Sequence, residues 1–143
     1  MEIRLASDIS EILDALEIRR QVFVEEQHVS EERERDDYDK EATHFLIEFD
    51  DKPVGTARLR WLGKTKCKIE RMAILKPYRK NGFGMELVKF IEDYAKRHNV
   101  RELHLNSQIH AKEFYGKLGF KPHGKTFMDA NIKHIEMIKK LKK

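Results

Sequence analysis

Met72-Ala-Ile-Leu-Lys-Pro-Tyr-Arg-Lys-Asn-Gly-Phe-Gly-Met-Glu-Leu87 is the stretch from which the rest of the chain can be read. It begins as an apolar strand, breaks at Pro77, and passes through Arg79, Lys80, Asn81, Gly82, Phe83, Gly84 and Met85. A helix pattern follows, with apolar residues at Phe83, Leu87, Phe90, Ile91, Tyr94 and Ala95. Strand, short basic glycine loop and helix together make an anion cradle. The glycines let backbone N–H groups turn inward with no Cβ in the way. The helix start adds orphan N–H groups and the positive end of its dipole. Arg79 and Lys80 supply mobile charge at the rim, and a diphosphate fits the arrangement. The loop lacks the Lys-Ser/Thr ending of a Mg-nucleotide P-loop. It is not Gly-x-Gly-x-x-Gly either, and no βαβ opening with a ribose-binding acid follows.

Outward from the cradle, alternation of apolar and polar residues predicts strands over 43–49, 54–61 and 66–75. Turn residues at 50–53 and 63–64 join them into an antiparallel meander. Upstream, residues 2–6 form a short strand. A helix over about 10–26 then carries Ile12, Leu13, Leu16, Arg19, Val22 and Phe23 at helical spacing, with Asp8 or Ser10 as cap. Residues 25–41 hold nine acids against three Lys/Arg and read as a loop with one helical turn. Downstream of the helix over 82–98 come a strand over 101–106, a helix over 108–118 stopped by Gly119, an extended segment beginning at Phe120, and a last strand over 132–141. Turns are expected at 121–124 and 128–131. The order predicts a single α/β domain over 1–143, a mixed, mostly antiparallel sheet flanked by helices.

At 143 residues the chain can bury a real core. No apolar run reaches membrane-spanning length, and the first residues lack a signal-peptide stretch, so a cytoplasmic protein without membrane contact is expected. One cysteine excludes an internal disulfide. Seven scattered histidines lack the close pairing of a zinc site, so no metal is expected. The net charge of +4 is uneven: 13 Lys/Arg stand against 18 Asp/Glu in residues 1–75, and 16 against 7 in 76–143. A nucleic-acid binder using the basic half fits poorly with that acidic first half. The split suggests ligands of opposite charge, or simply uneven solvated faces.

Arg79-x-x-Gly82-x-Gly84 after a strand resembles the signature with which the GNAT family of N-acetyltransferases holds the pyrophosphate of acetyl-CoA. Ala111-Lys-Glu-Phe-Tyr-Gly-Lys-Leu-Gly-Phe120 resembles the family's following-helix motif, and the element order resembles the family's over essentially the whole chain. Val22-Phe-Val-Glu-Glu-Gln27, the acidic stretch and Thr43-His44 are similar to a small bacterial branch of YjcF/ElaA-like acetyltransferases.

The resemblance implies direct transfer of an acetyl group from acetyl-CoA to an amine, without an acyl-enzyme. It places Met72, Ala73 and Ile74 against the pantetheine, residues 79–85 on the diphosphate, and Gln108, Ala111 and Phe114 beside the arm. Family members often have Asn where this chain has Gln108. Tyr115 occupies the position of the acid that protonates the leaving thiolate, or is a core aromatic of the Phe114 stripe. Glu70 is a base for the amine, or an ion-pair partner of Arg58 or Arg60. His44 is a rival base, or a strand histidine on the surface. Glu26 and Gln27 line the acceptor cleft or end a solvated helix. The acceptor is then a small-molecule or peptide amine, with a cationic amine or lysine favoured by the acidic stretch. A homodimer stays open. The alternative is a non-catalytic acyl-CoA-binding or sensor module that keeps the cradle alone.

Overall fold

The computed structural model describes residues 1–142. Among these, seven strands form one sheet: β1 (Glu2–Leu5), β2 (Thr43–Phe49), β3 (Lys52–Trp61), β4 (Lys66–Ile74), β5 (Glu102–Gln108), β6 (Lys121–Asp129) and β7 (Ile132–Lys140). Their order is β1-β2-β3-β4-β5-β7-β6. Only β4 and β5 pair in parallel, and the other neighbours are antiparallel. The α/β fold with a mixed, mostly antiparallel sheet is therefore the one expected.

Alternation along the central strands divides the core between the two faces. Leu46 and Ala73 pack under Ala15, Ile18 and Val22 of α1 (Ile9–Arg19) and its continuation. Phe45, Ile47 and Leu59 pack under Phe83, Leu87 and Ile91 of α3 (Phe83–Arg97). Burying each such side chain is worth about 1.5–3 kcal/mol. Phe45 also meets Phe90 and Tyr94 edge-on, with ring centroids 5.9 and 5.4 Å apart. Asp8 caps α1 by accepting the Glu11 N–H at 2.8 Å.

Several boundaries differ from expectation, each for a local reason. The first helix turns into a π-helix over Arg20–Glu26, so its cleft-facing residues leave the 3.6-residue stripe. Leu13, placed on the buried stripe by spacing, is 57% exposed. The helix over 108–118 is only α4 (Lys112–Lys117), because β5 runs on to Gln108 and a 3₁₀ turn, Ile109–Ala111, intervenes. Residues 121–124 belong to β6, where Gly124 takes φ 79° at a bulge between His123 and Phe127. The hairpin turns shrink to residue pairs, Asp50-Asp51 and Ala130-Asn131, all with positive φ as primed two-residue turns require.

The acidic segment is solvated in part, with Glu31, Glu32, Asp37 and Glu41 exposed, but its other acids are held against the sheet. It folds as α2 (Glu31–Glu34) and a 3₁₀ turn (Asp37–Lys40) over two buried arginines. Arg19 and Arg58 are each 1% exposed. Arg19 donates to Glu34 at 2.7 Å and to Asp39 at 2.7 Å. Arg58 donates to Asp36 at 2.6 Å, Asp39 at 2.8 Å and Glu70 at 2.7 Å. A buried guanidinium needs its donors met by acceptors and its charge paired with carboxylates, and this requirement pulls the segment onto the sheet.

Candidate active site

The geometry begins at β4. Its parallel ladder with β5 covers only Lys66–Ile69 against Glu102–Leu105, and beyond Ile69 the two strands part. On the other side, β4 carries a bulge against β3, between the pairs Arg58–Glu70 and Thr56–Ala73. Arg71, at φ 55°, supplies the left-handed residue of that bulge. Leu75 N–H bonds Val54 C=O at 2.9 Å, so backbone alternation sends the Ala73 N–H toward β3 and those of Met72 and Ile74 into the gap. Ala73 is a ladder residue that packs under α1 and also lines the cleft, whereas Met72 and Ile74 present backbone groups to the opening.

The gap opens into a cleft of about 880 Å³. One end is the cradle. After the 3₁₀ turn Lys76–Tyr78, Lys80 (φ 67°) and Gly82 (φ 78°) both take left-handed conformations, and Gly82 becomes the N-cap of α3. No side chain caps this helix. The first-turn N–H groups, at Phe83, Gly84 and Met85, precede the first intrahelical bond, Glu86 N–H to Gly82 C=O at 3.1 Å. Gly84 matters differently from Gly82: a Cβ there would meet Met72 Cε at 3.2 Å and Phe114 Cζ at 3.3 Å. It lets helix, strand and α4 approach one another at the gap.

Arg79 is not a mobile charge at the rim. Its Nε donates to Ile74 C=O at 2.9 Å, and its two Nη groups grip the Glu26 carboxylate at 2.6 and 2.7 Å. Hydrogen bonds from Arg79 hold the Glu26 carboxyl below its usual range, and Glu26 raises Arg79 in turn. Lys80 lines the cleft, but Asn81 does not; its side-chain amide turns back toward Tyr78 C=O at 3.4 Å. Gln27 lines the cleft and receives a 3.0 Å hydrogen bond from Gln108 Nε2, whose Oε1 lies 2.7 Å from His110 Nε2.

Ala111, Phe114 and Tyr115 form the wall opposite β4. Tyr115 is set by edge contacts with Phe114 and Phe120, at 5.0 and 6.0 Å between centroids. Its hydroxyl donates to Met72 Sδ at 3.3 Å, across the gap. Burial pushes the phenol up to about 12, so it is a proton donor at neutral pH.

Glu70 lines the cleft, but its carboxylate is committed. It accepts from Arg58 and Arg60, with Lys68 at 3.5 Å. Burial opposes ionisation, yet hydrogen bonds from Arg60 and Arg58 outweigh it and hold the carboxyl at about 2. A carboxylate that acidic is a poor acceptor for an ammonium proton. His44 is outside the cleft lining and is buried, with Nε2 2.8 Å from Asp39 C=O. The expectation of a surface histidine or rival base is corrected on both counts, because β2 turns it under the acidic segment. Burial pushes the Cys67 thiol up to about 12, so it is no nucleophile.

Sequence spacing missed the far end of the cleft: Arg33, Lys68, Arg71, Asp129 and His134. Arg33 and Asp129 bridge at 2.7 Å, joining α2 to the β6–β7 turn over 96 residues of sequence. Only tertiary pairing brings these together. Arg19 did leave a trace, as a charged residue on an apolar helical stripe.

Residues 9–141 match the acetyltransferase (GNAT) domain model. The chain belongs to the GNAT acetyltransferase family, and it is an N-acetyltransferase. The uncharacterized protein YyaT of Bacillus subtilis is 40% identical over 144 residues, covering 99% of this chain and 97% of that one. The uncharacterized N-acetyltransferase YjcF of the same organism is 35% identical over 140 residues, covering 97% and 99%. The crystal structure of Escherichia coli ElaA superposes with a TM-score of 0.86 at 23% identity, covering 96% and 98%, which bears on the fold alone.

Proposed function

We propose that the chain moves the acetyl group of acetyl-CoA directly onto a primary amine. One observation carries this reading: the β4–β5 ladder ends at Ile69, and the Tyr115 hydroxyl crosses the resulting gap to Met72. In this reading the diphosphate lies on the uncapped start of α3, and the pantetheine runs along Ile74 and Met72. The Met72 N–H then donates to the thioester oxygen as negative charge develops there. The amine lone pair attacks the carbonyl carbon, the C–S bond breaks, and Tyr115 gives its proton to the departing thiolate. The proton lost by the amine passes through water, since Glu70 is too acidic to take it. That proton restores the phenol.

The acidic stretch gives less support to a cationic acceptor than its composition suggested. Glu34, Asp36 and Asp39 are held by Arg19, Arg58 and Arg71, and Glu31 and Glu32 do not line the cleft. At its far end, Arg33, Lys68 and Arg71 stand against Glu34, Glu70 and Asp129. A panel of cationic, neutral and anionic amines, assayed for CoA release with acetyl-CoA, tests the reading. Release that depends on an amine and yields the N-acetyl product supports it. Tight acetyl-CoA binding with no amine-dependent release across the panel would overturn it in favour of a binding module.

A further inference from the structure

An aliphatic amine reaches the cleft as an ammonium, which has no lone pair with which to attack. Two protons therefore leave its nitrogen during the transfer proposed above. The one lost after attack restores the Tyr115 phenol. The one lost before attack is the net proton of the reaction and needs an acceptor of its own. Glu70 is too acidic for it, and His44 is outside the cleft lining. His134 of β7 is placed differently. It is 9% exposed and lines the cleft. Its ring stacks on Phe127 of β6, with centroids 5.8 Å apart, and its Nδ1 lies 2.7 Å from Ile132 C=O. A carbonyl only accepts, so Nδ1 carries the hydrogen, and in the neutral ring Nε2 keeps its lone pair. Among the described residues no protein group bonds Nε2. The fully buried polar side-chain atom without a partner is His44 Nδ1, so Nε2 keeps its access to the cleft.

We infer that His134 Nε2 takes the first proton of the incoming ammonium, through water, and passes it to solvent. This rests on the acetyl-transfer reading and supplies the proton acceptor which that reading lacks. The register places it. Three residues on from the last parallel pair, Ile69–Leu105, are Met72 and Gln108, on either side of the gap. His134 is the partner of Gln108 on β7, one strand spacing further, or about 5 Å. Antiparallel partners point to one face, and Gln108 reaches Gln27 at the end of the π-helical turn, so this is the α1 face. Tyr115 packs against the core on the α3 face, as does Ile135, the next residue of β7. Imidazole and phenol thus stand on opposite faces of the sheet, one where the amine can enter and one where the thiolate can leave. The charges at this end of the cleft are otherwise paired. Asp129 of β6 meets Arg33 of α2, Glu34 meets Arg19 and Arg71, and Glu70 meets Arg58, Arg60 and Lys68. Further along β7, Glu136 is held by His123, and after β5 His110 is held by Gln108.

The test uses the intact chain and two variants, His134→Asn and His134→Gln. Asn keeps a donor for Ile132 C=O, Gln puts an amide where Nε2 stood, and neither accepts a proton. A thermal melt verifies that each is folded. CoA release is measured with the fastest aliphatic primary amine of the panel and with its 2,2-difluoro analogue. At about pH 8 the first is an ammonium, whereas the fluorines leave the second largely neutral. In both variants kcat/KM for the aliphatic amine should fall about 100-fold or more, and that for the difluoro analogue less than about 3-fold. Acetyl-CoA affinity, titrated calorimetrically, should not change. No loss, or an equal loss with the two amines, overturns the inference. So does a fall in acetyl-CoA affinity large enough to account for the lost rate, which would make His134 a support for the cofactor. If the wild type releases no CoA with any amine, the transfer reading itself fails and takes this inference with it.

Discussion

The Tyr115 hydroxyl donates to Met72 Sδ at 3.3 Å, from a helix following β5 to a strand that β5 no longer pairs with. That contact closes the gap between β4 and β5 at the point where the strand's free backbone groups begin. A thioether is a weak acceptor. The half-buried hydroxyl therefore has no strong partner and is readily given up to a better one, such as a thiolate.

Tyr115→Phe keeps the ring contacts and removes only this donor. We expect kcat to fall by roughly one to four orders of magnitude, the upper part being usual for a general acid, with acetyl-CoA affinity almost unchanged. Because the phenol sits at about 12, the wild-type rate should show no basic limb from it below about pH 10. Steady-state rates across pH, with calorimetric affinities beside them, check both statements. An unchanged kcat under conditions where chemistry limits the rate would make Tyr115 a packing residue.

Glu70 gives the opposite expectation. Glu70→Gln removes a partner from Arg58, which keeps Asp36 and Asp39, so stability should fall by about 3 kcal/mol, the low end for a broken buried pair. The acid limb of the pH–rate profile should stay where it is. Denaturant unfolding and the pH profile separate the two roles; loss of that limb would restore Glu70 as the base.

The same network sets the acid stability of the fold. Glu70 and Asp39 stand at about 2 when folded, below ordinary values of 4.5 and 3.8. The native state therefore binds fewer protons than the unfolded chain at mildly acid pH. Their contribution is complete above about pH 5 and is lost as pH falls toward 2. Thermal melts between pH 7 and pH 2 should show Tm falling in that window. The fall should be smaller in Glu70→Gln, which has one such carboxylate fewer.

Gly82 and Arg71 both occupy left-handed conformations, at φ 78° and φ 55°. Gly82→Ala has open space around its new Cβ, so its cost is backbone strain of about 1–2 kcal/mol together with weaker acetyl-CoA binding. At Arg71 the strain is already present, offset by hydrogen bonds to Glu34 C=O at 3.1 Å and Asp36 at 3.2 Å. Arg71→Gly should accordingly be more stable than Arg71→Ala by about 1 kcal/mol, although both lose the guanidinium. Urea unfolding of the four proteins, wild type included, measures these differences. Equal stability of Arg71→Gly and Arg71→Ala would mean that the bulge relaxes when its side chain goes.

The sequence by itself determined the central strands and the strand–turn–helix course of the cradle. Alternation over β2, β3 and β4, the breaks at Pro77 and Gly82, and the stripe from Phe83 to Ala95 are local patterns, and local patterns select strands and helices. Glycine at Gly82 likewise announces a left-handed turn, because few other residues take that conformation cheaply. The tertiary structure decided the state of every charge. Glu70 is acidic because β3 sets Arg58 and Arg60 beside it, and Glu34 is buried and Asp36 and Asp39 half-buried because Arg19 and Arg58 need carboxylates. Arg79 is held rather than free because a π-helical turn 53 residues upstream brings Glu26 to meet it. No spacing rule encodes such meetings. A charge's chemistry depends on its neighbours and its distance from water, and both exist only once the chain has folded.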